Sequence, residues 1–204
     1  KVFIVASAVG YYGDRGEEPL TEQSSSGEGF LADTAISWEA AADTARESGI
    51  RVVHARFGLI MSHYGGLLTK VRIPFQNALG GKLGNGRQWW SWISLPDVIN
   101  GITFSIYNEN IEGPVNFTAP TPVRNEEFTK LMSKTISRPA WFHVPAPIIR
   151  MVFGEMGEET MLASQRVFPE KLRAAGFNWR YTELADILHQ ELISERSDRW
   201  DNQS

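Results

Sequence analysis

Val2-Phe3-Ile4-Val5-Ala6-Ser7-Ala8-Val9-Gly10-Tyr11-Tyr12-Gly13-Asp14 is the stretch that decides the fold. An apolar run gives way to small residues, a hydroxyl and then glycine, the pattern of a buried parallel strand delivering its carboxyl end into a loop. Ligands of open α/β sheets sit at such ends. Ser7 is suited to hold a substrate oxygen while Tyr11 or Tyr12 exchanges its proton, so these three are the candidate catalytic residues. Packing and hydrogen bonding of the same side chains is the plain alternative. Gly10 and Gly13 permit close approach of the backbone.

Outward from this segment, strand and helix signals alternate, which predicts βα units around a parallel sheet. Asp14 to Gly29 reads as a long loop, too polar to pack and able to close over a ligand. Leu31, Ala35, Trp38, Ala42 and Ala45 recur at steps of three and four, predicting one apolar stripe on a helix over about 30–48 that Gly49 stops. Ile50 to Phe57 reads as a strand. Arg56, beside Gly58 at its end, suits either a bound carboxylate or phosphate or a structural salt bridge. Leu67 to Leu79 is helix-like around Pro74. The glycines from Gly80 to Gly86 lack Walker spacing and read as a mobile loop.

Alternation in Trp89-Trp90-Ser91-Trp92-Ile93 sends Trp90 and Trp92 one way and Trp89 the other, one face to the core and one able to stack on a sugar or ring. Ser94, with Pro96 and Asp97, opens a helix to about Tyr107. Val115 to Phe117 is a further strand, and Asn125 starts a helix ending near Ser137. From Ala140 the composition changes. Residues 140–193 read as a small C-terminal α+β domain with a last helix to about Ile193, and residues 194–204 as a frayed polar tail. Glu155, Glu158 and Glu159 read as a solvated helix face.

A net charge of −4, with the basic residues scattered, gives no footprint for nucleic acid. No apolar stretch approaches the roughly 20 residues that span a bilayer, so the expectation is a cytoplasmic protein with a small-molecule substrate and no membrane partner. The chain has no Cys and four scattered His, which leaves no metal-ligand spacing.

Ser7-Ala8-Val9-Gly10-Tyr11-Tyr12-Gly13-Asp14, Trp38-Glu39-Ala40-Ala41, Arg56-Phe57-Gly58, Leu83-Gly84-Asn85-Gly86, Trp92-Ile93 with Asp97, and Ser164-Gln165-Arg166-Val167 stand in an order that resembles the extended short-chain dehydrogenase/reductase superfamily. Within it the resemblance is to the epimerase family proteins of the YfcH-like group, and it covers nearly the whole chain. It implies an α/β, Rossmann-like parallel sheet with the small C-terminal domain, residues 1–139 being the C-terminal part of an NAD(P)-binding domain. The Gly-x-x-Gly-x-x-Gly turn of that domain is expected before Lys1, so a full cofactor site needs residues upstream. The cofactor implied is NAD(P), NADP in preference to NAD. Ala6, Ser7, Phe57 and Gly58 are the residues implied near the nicotinamide, and Tyr12, Phe75, Gln88 and Trp90 the substrate contacts.

The sequence departs from that superfamily at its proton relay. No Tyr or Lys lies between Gly13 and His63, where a Tyr-x-x-x-Lys pair is expected, and Ser94 stands where many relatives have His. Two functions follow: an NAD(P)-dependent oxidoreductase or epimerase acting on a small, sugar-like molecule, with Tyr11 or Tyr12 supplying the proton, or a nucleotide or metabolite sensor that has lost the relay.

Overall fold

The computed structural model describes residues 1–201, without the side chains of residues 152–156 and 193–201. Strand β1 (Val2–Ala8) runs into a 3-10 turn over Val9–Tyr12, and the long loop behind it carries β2 (Pro19–Leu20) before helix α1 (Phe30–Glu47). Next come β3 (Arg51–Phe57), β4 (Leu59–Met61), α2 (Leu67–Gln76), β5 (Gly81–Leu83), β6 (Trp89–Trp90), β7 (Trp92–Ser94) and α3 (Leu95–Tyr107). Strand β8 (Gly113–Phe117), β9 (Val123–Arg124) and α4 (Asn125–Ile136) follow, then β10 (Phe142–Val144), α5 (Ala146–Gly157), a π-helical turn over Glu158–Leu162, β11 (Arg166–Val167), α6 (Glu170–Ala174) and α7 (Leu184–Asp201). No described helix is long and apolar enough to cross a membrane.

The architecture is α/β, and its centre is the parallel sheet β1-β3-β8. Alternation along β3 divides its side chains between two faces. Val53 and Ala55 join Val115, Phe117, Ile93 and Leu172 in one core cluster, whereas His54 and Arg56 face side chains of α1. Register pairs Ser7 with Arg56 and Arg56 with Asn116, so three polar residues form one row across the strands.

The segment beyond Ala140 is tied back by pairing: β10 lies parallel to β5, and β11 parallel to β2. Asp97 adds a buried anchor. Ser94 caps α3 by accepting from the Asp97 N–H at 3.0 Å, and the Asp97 carboxylate accepts the N–H groups of Arg180 and Tyr181 at 2.7 and 3.1 Å. The residue that departs from the superfamily at position 94 is thus a helix cap.

Three expectations change. The loop over 14–29 packs after all, because Leu20 pairs with Val167 and is fully buried with Val9 and Tyr12. Trp38 is 57% exposed, and the buried line on α1 is Ala32, Ala35 and Ala42, with Glu39 turned inward to meet Arg56. The last helix runs past Ile193 to Asp201, and only residues 202–204 of the expected tail lie outside the described residues. Trp90 and Trp92 do share a face: both lie in the core cluster built by α4 and α7, Trp90 with its ring 5.2 Å from that of Phe128.

Gly101 shows how closely α3 is seated, since a Cβ there would lie 2.9 Å from the Phe117 ring. Alanine in a helix interior ordinarily gains roughly 1 kcal/mol over glycine, whereas overpacking costs about 1–3 kcal/mol. Gly101→Ala should therefore lower stability in urea unfolding rather than raise it; a more stable variant would show that this contact is loose.

Candidate active site

The row across the sheet is the start of a buried polar network. Arg56 reaches Glu39 with both ends of its fork, Nε to Oε1 at 2.8 Å and an Nη to Oε2 at 2.7 Å. Ser7 donates to the same Oε1 at 2.8 Å. The other Nη of Arg56 donates to the Tyr12 hydroxyl at 3.0 Å, and that hydroxyl donates to Asn116 Oδ1 at 2.8 Å. Asn116 Nδ2 donates to the Phe168 carbonyl, and its backbone N–H to Glu22 Oε1 at 3.0 Å. The Tyr11 ring lies 3.4 Å under the guanidinium. Three strands, α1, the loop and the segment around β11 all meet here.

Burial sets the ionisation of this network. It pulls the Arg56 guanidinium toward neutrality, but the hydrogen bonds it donates to Glu39 and Tyr12 more than offset that, and the pKa stands above the usual value. Burial raises the Tyr12 phenol, against the pull of Arg56 and Asn116. Burial likewise raises Glu22, opposed by the N–H groups it accepts. His54, beside Asp43 and Arg46 on the same face, is lowered by burial.

Gly10 and Gly13, which flank Tyr11 and Tyr12, line a cleft of about 270 Å³. It is lined by Gly10, Gly13 and Asp14 after β1, Glu28 and Leu31 at the entry to α1, Gly84, Asn85 and Gln88 between β5 and β6, and Arg150, Glu158, Glu159 and Gln165 from the C-terminal segment. Glycine is required at Gly13, where φ is +63° and a Cβ would sit 3.0 Å from the Glu28 carbonyl oxygen. Glu159 ties the cleft lining to α1. Its carboxylate accepts the Phe30 and Leu31 N–H groups at 2.9 and 2.7 Å, capping α1 where Gly29 offers no side chain. Glu158 pairs with Arg150 at 2.6 Å.

Residues 144–191 match the model of a domain of unknown function, DUF1731. The epimerase family protein Mb2239 of Mycobacterium bovis is 43% identical over 91% of this chain and 62% of its own length. This chain is similar to the epimerase family proteins along nearly all of its length. It spans a little under two thirds of those curated relatives. The crystal structure of human epimerase family protein SDR39U1 with NADPH aligns at a TM-score of 0.85 and 27% identity, over 94% of this chain and 65% of that one. The nucleoside-diphosphate sugar epimerase of Corynebacterium glutamicum aligns at 0.77 and 35% identity, over 97% and 40%.

The residues singled out in the sequence are spread over the cleft, the network and the core. Gln88 lines the cleft, as do Gly10 and Gly13 of the opening segment. Ser7, Tyr11 and Tyr12 are not among the residues that line it: Tyr12 is fully buried with its hydroxyl committed to Arg56 and Asn116, and the Ser7 hydroxyl is committed to Glu39. Phe75 and Trp90 are buried in the core. Ala6 is exposed on β1 and Phe57 half-buried at the end of β3. Gly58 is hemmed in by packing, since a Cβ there would meet the Ser91 carbonyl oxygen at 2.6 Å. The Trp89 ring is stacked on by the guanidinium groups of Arg124 and Arg166, at 4.5 and 4.8 Å from its centre.

Glu39 and Glu159 were missed. A charged residue in a β-branched buried strand demands a counter-charge, and Glu39 lies four residues after Ala35 and three before Ala42, on the same helical line. That signal was available for Glu39. Glu159 carried none, because its partner is a helix end over a hundred residues away.

Arg56→Met leaves the Glu39 carboxylate buried and unpaired, which costs about 3–5 kcal/mol. Adding Glu39→Leu should restore part of that loss. In a double-mutant cycle the pair should be coupled by about 2 kcal/mol, within the range for contacting residues; additive losses in denaturant unfolding would remove the pair from its central place.

Proposed function

We propose that this chain forms the substrate side of an NAD(P)-dependent oxidoreductase or epimerase, in which a small hydroxyl-bearing molecule occupies the cleft in front of Gly10. The carrying observation is that the cleft opens where the parallel strand β1 delivers its carboxyl end, in a chain similar to a human protein whose crystal structure contains NADPH.

The residues at that end suit a flat ring. Ala6 and Ala8 are exposed on β1 and present only methyl groups beside the half-buried Phe57. We assign them, with Ser7 between them, to the nicotinamide end; the pyrophosphate and adenine fall to the part of the relatives' length that this chain does not span. When bound, the nicotinamide supplies a hydride acceptor or donor. Ser7 and Tyr12 are positioning residues in this reading, because both hydroxyls are turned into the Arg56–Glu39 network and hold the strand ends in register. A buried phenol with its pKa raised keeps its proton. The proton of the alcohol being oxidised passes instead to a carboxylate that lines the cleft, Glu28, which has no ion pair among the described residues. It is returned from there on reduction.

The commitment of Ser7 and Tyr12 also favours a second reading, a sensor that binds nucleotide and metabolite without turnover. The complete protein, titrated with NADPH by fluorescence and then supplied with a panel of carbonyl compounds, separates the two. Binding with turnover, lost at least about 100-fold in Glu28→Gln as for a general base, is the expected result. Turnover lost in Tyr11→Phe but kept in Glu28→Gln would move the proton to Tyr11. Binding without any turnover would establish the sensor, and no binding would overturn both.

A further inference from the structure

Gln88 is 6% exposed, yet it lines the cleft. Its side-chain nitrogen donates to two carbonyl oxygens, Leu83 at 3.1 Å and Met161 at 3.0 Å. Two accepted donations to carbonyls fix which end of the amide is nitrogen. The other end, Oε1, accepts no hydrogen bond among the described residues and is not sealed from solvent. A buried acceptor held rigidly at a cleft wall is matched by a donor on whatever enters, since a carbonyl dipole facing an anion would be repelled.

The charges around it point the same way. Among the described residues, Asp14, Glu28, Glu158 and Glu159 line the cleft against the single cation Arg150. Arg150 is already paired with Glu158, and the Glu159 carboxylate occupies the N–H groups of α1 that would otherwise attract an anion. Asp14 accepts from the Gly16 and Ser164 N–H groups, which leaves Glu28 uncompensated. Such a lining repels phosphate and welcomes hydroxyl and ammonium groups.

We infer that the substrate bound in this cleft is an unphosphorylated, hydroxyl- or amine-bearing molecule that donates a hydrogen bond to Gln88 Oε1, and not a sugar carried on a nucleoside diphosphate. This rests on the cleft being the substrate site of the proposed nicotinamide-dependent protein. Gln88 becomes the residue that reads a donor, and Glu28 the charge that excludes phosphate.

The test uses the complete protein saturated with NADPH and four probes: glucosamine, glucose, glucose 6-phosphate and UDP-glucose, with dissociation constants from ligand-observed NMR titration. Glucosamine and glucose should bind at least about tenfold more tightly than the two phosphorylated probes. Glu28→Lys, a change at an exposed position that leaves the fold intact, should narrow or invert that ratio by about tenfold. Gln88→Met should weaken glucosamine by a similar factor, with the far-ultraviolet spectrum and melting point recorded to separate local loss from misfolding. Tighter binding of either phosphorylated probe, equal binding of all four, no binding of any, or a ratio unmoved by Glu28→Lys would overturn the inference. NADPH affinity is read separately in the same samples. Its absence counts against the nicotinamide reading, whereas the sugar ratio in the cleft still decides this one.

Discussion

Arg56 places a guanidinium at the carboxyl end of the central strand with 3% of its surface exposed, and the arrangement around it follows from that. A buried cation without partners is prohibitive, so the neighbouring elements must supply oxygen atoms in fixed positions. Helix α1 supplies Glu39 as a two-pronged acceptor, the turn after β1 supplies the Tyr12 hydroxyl, and the Tyr11 ring covers the remaining face. Each partner is then tied onward, Glu39 to Ser7 on β1 and Tyr12 to Asn116 on β8. One charge thereby locks the ends of three parallel strands, and Gly10 and Gly13, which line the cleft, follow directly on the first of them. A network of this kind holds one geometry, since a half-satisfied version of it is worse than an apolar core.

The same interaction explains what could and could not be read from the sequence. Strand periods, helix caps and glycine stops gave α1, β3, α3 and α4 nearly to the residue, because local propensity and burial agree there. The inward face of α1 was misread at Trp38. Hydrophobic periodicity assumes that the core side is apolar, and here the core side carries a carboxylate. The loop over 14–29 was misread for a related reason. Its polarity is genuine, but Leu20 finds a two-residue strand partner at Val167, supplied from far along the chain. Non-local pairing of that length leaves no local trace.

For the site, residue types were legible and their orientation was not. The opening segment does border the cleft, through Gly10, Gly13 and Asp14 rather than through its hydroxyls. Which way Ser7 and Tyr12 point depends on Arg56, one βα unit later. The cleft's acidic side, Glu158 and Glu159, reads locally as a solvated helix face; it becomes part of the site only because the C-terminal segment is strapped back by β10, β11 and Asp97.

The proposed site joins a rigid strand end, a nicotinamide ring resting on it and a separate cleft for a small polar molecule. A crystal structure of the complete protein with NADPH tests that join most directly. The nicotinamide is predicted against Ala6 and Ala8, open toward the cleft at Gly10 and Gln88, with the Arg56–Glu39 fork and the Tyr12–Asn116 contact unchanged. A nicotinamide ring bound away from these strand ends, or one that draws Tyr12 out of its contact with Arg56 to meet it, would contradict the account.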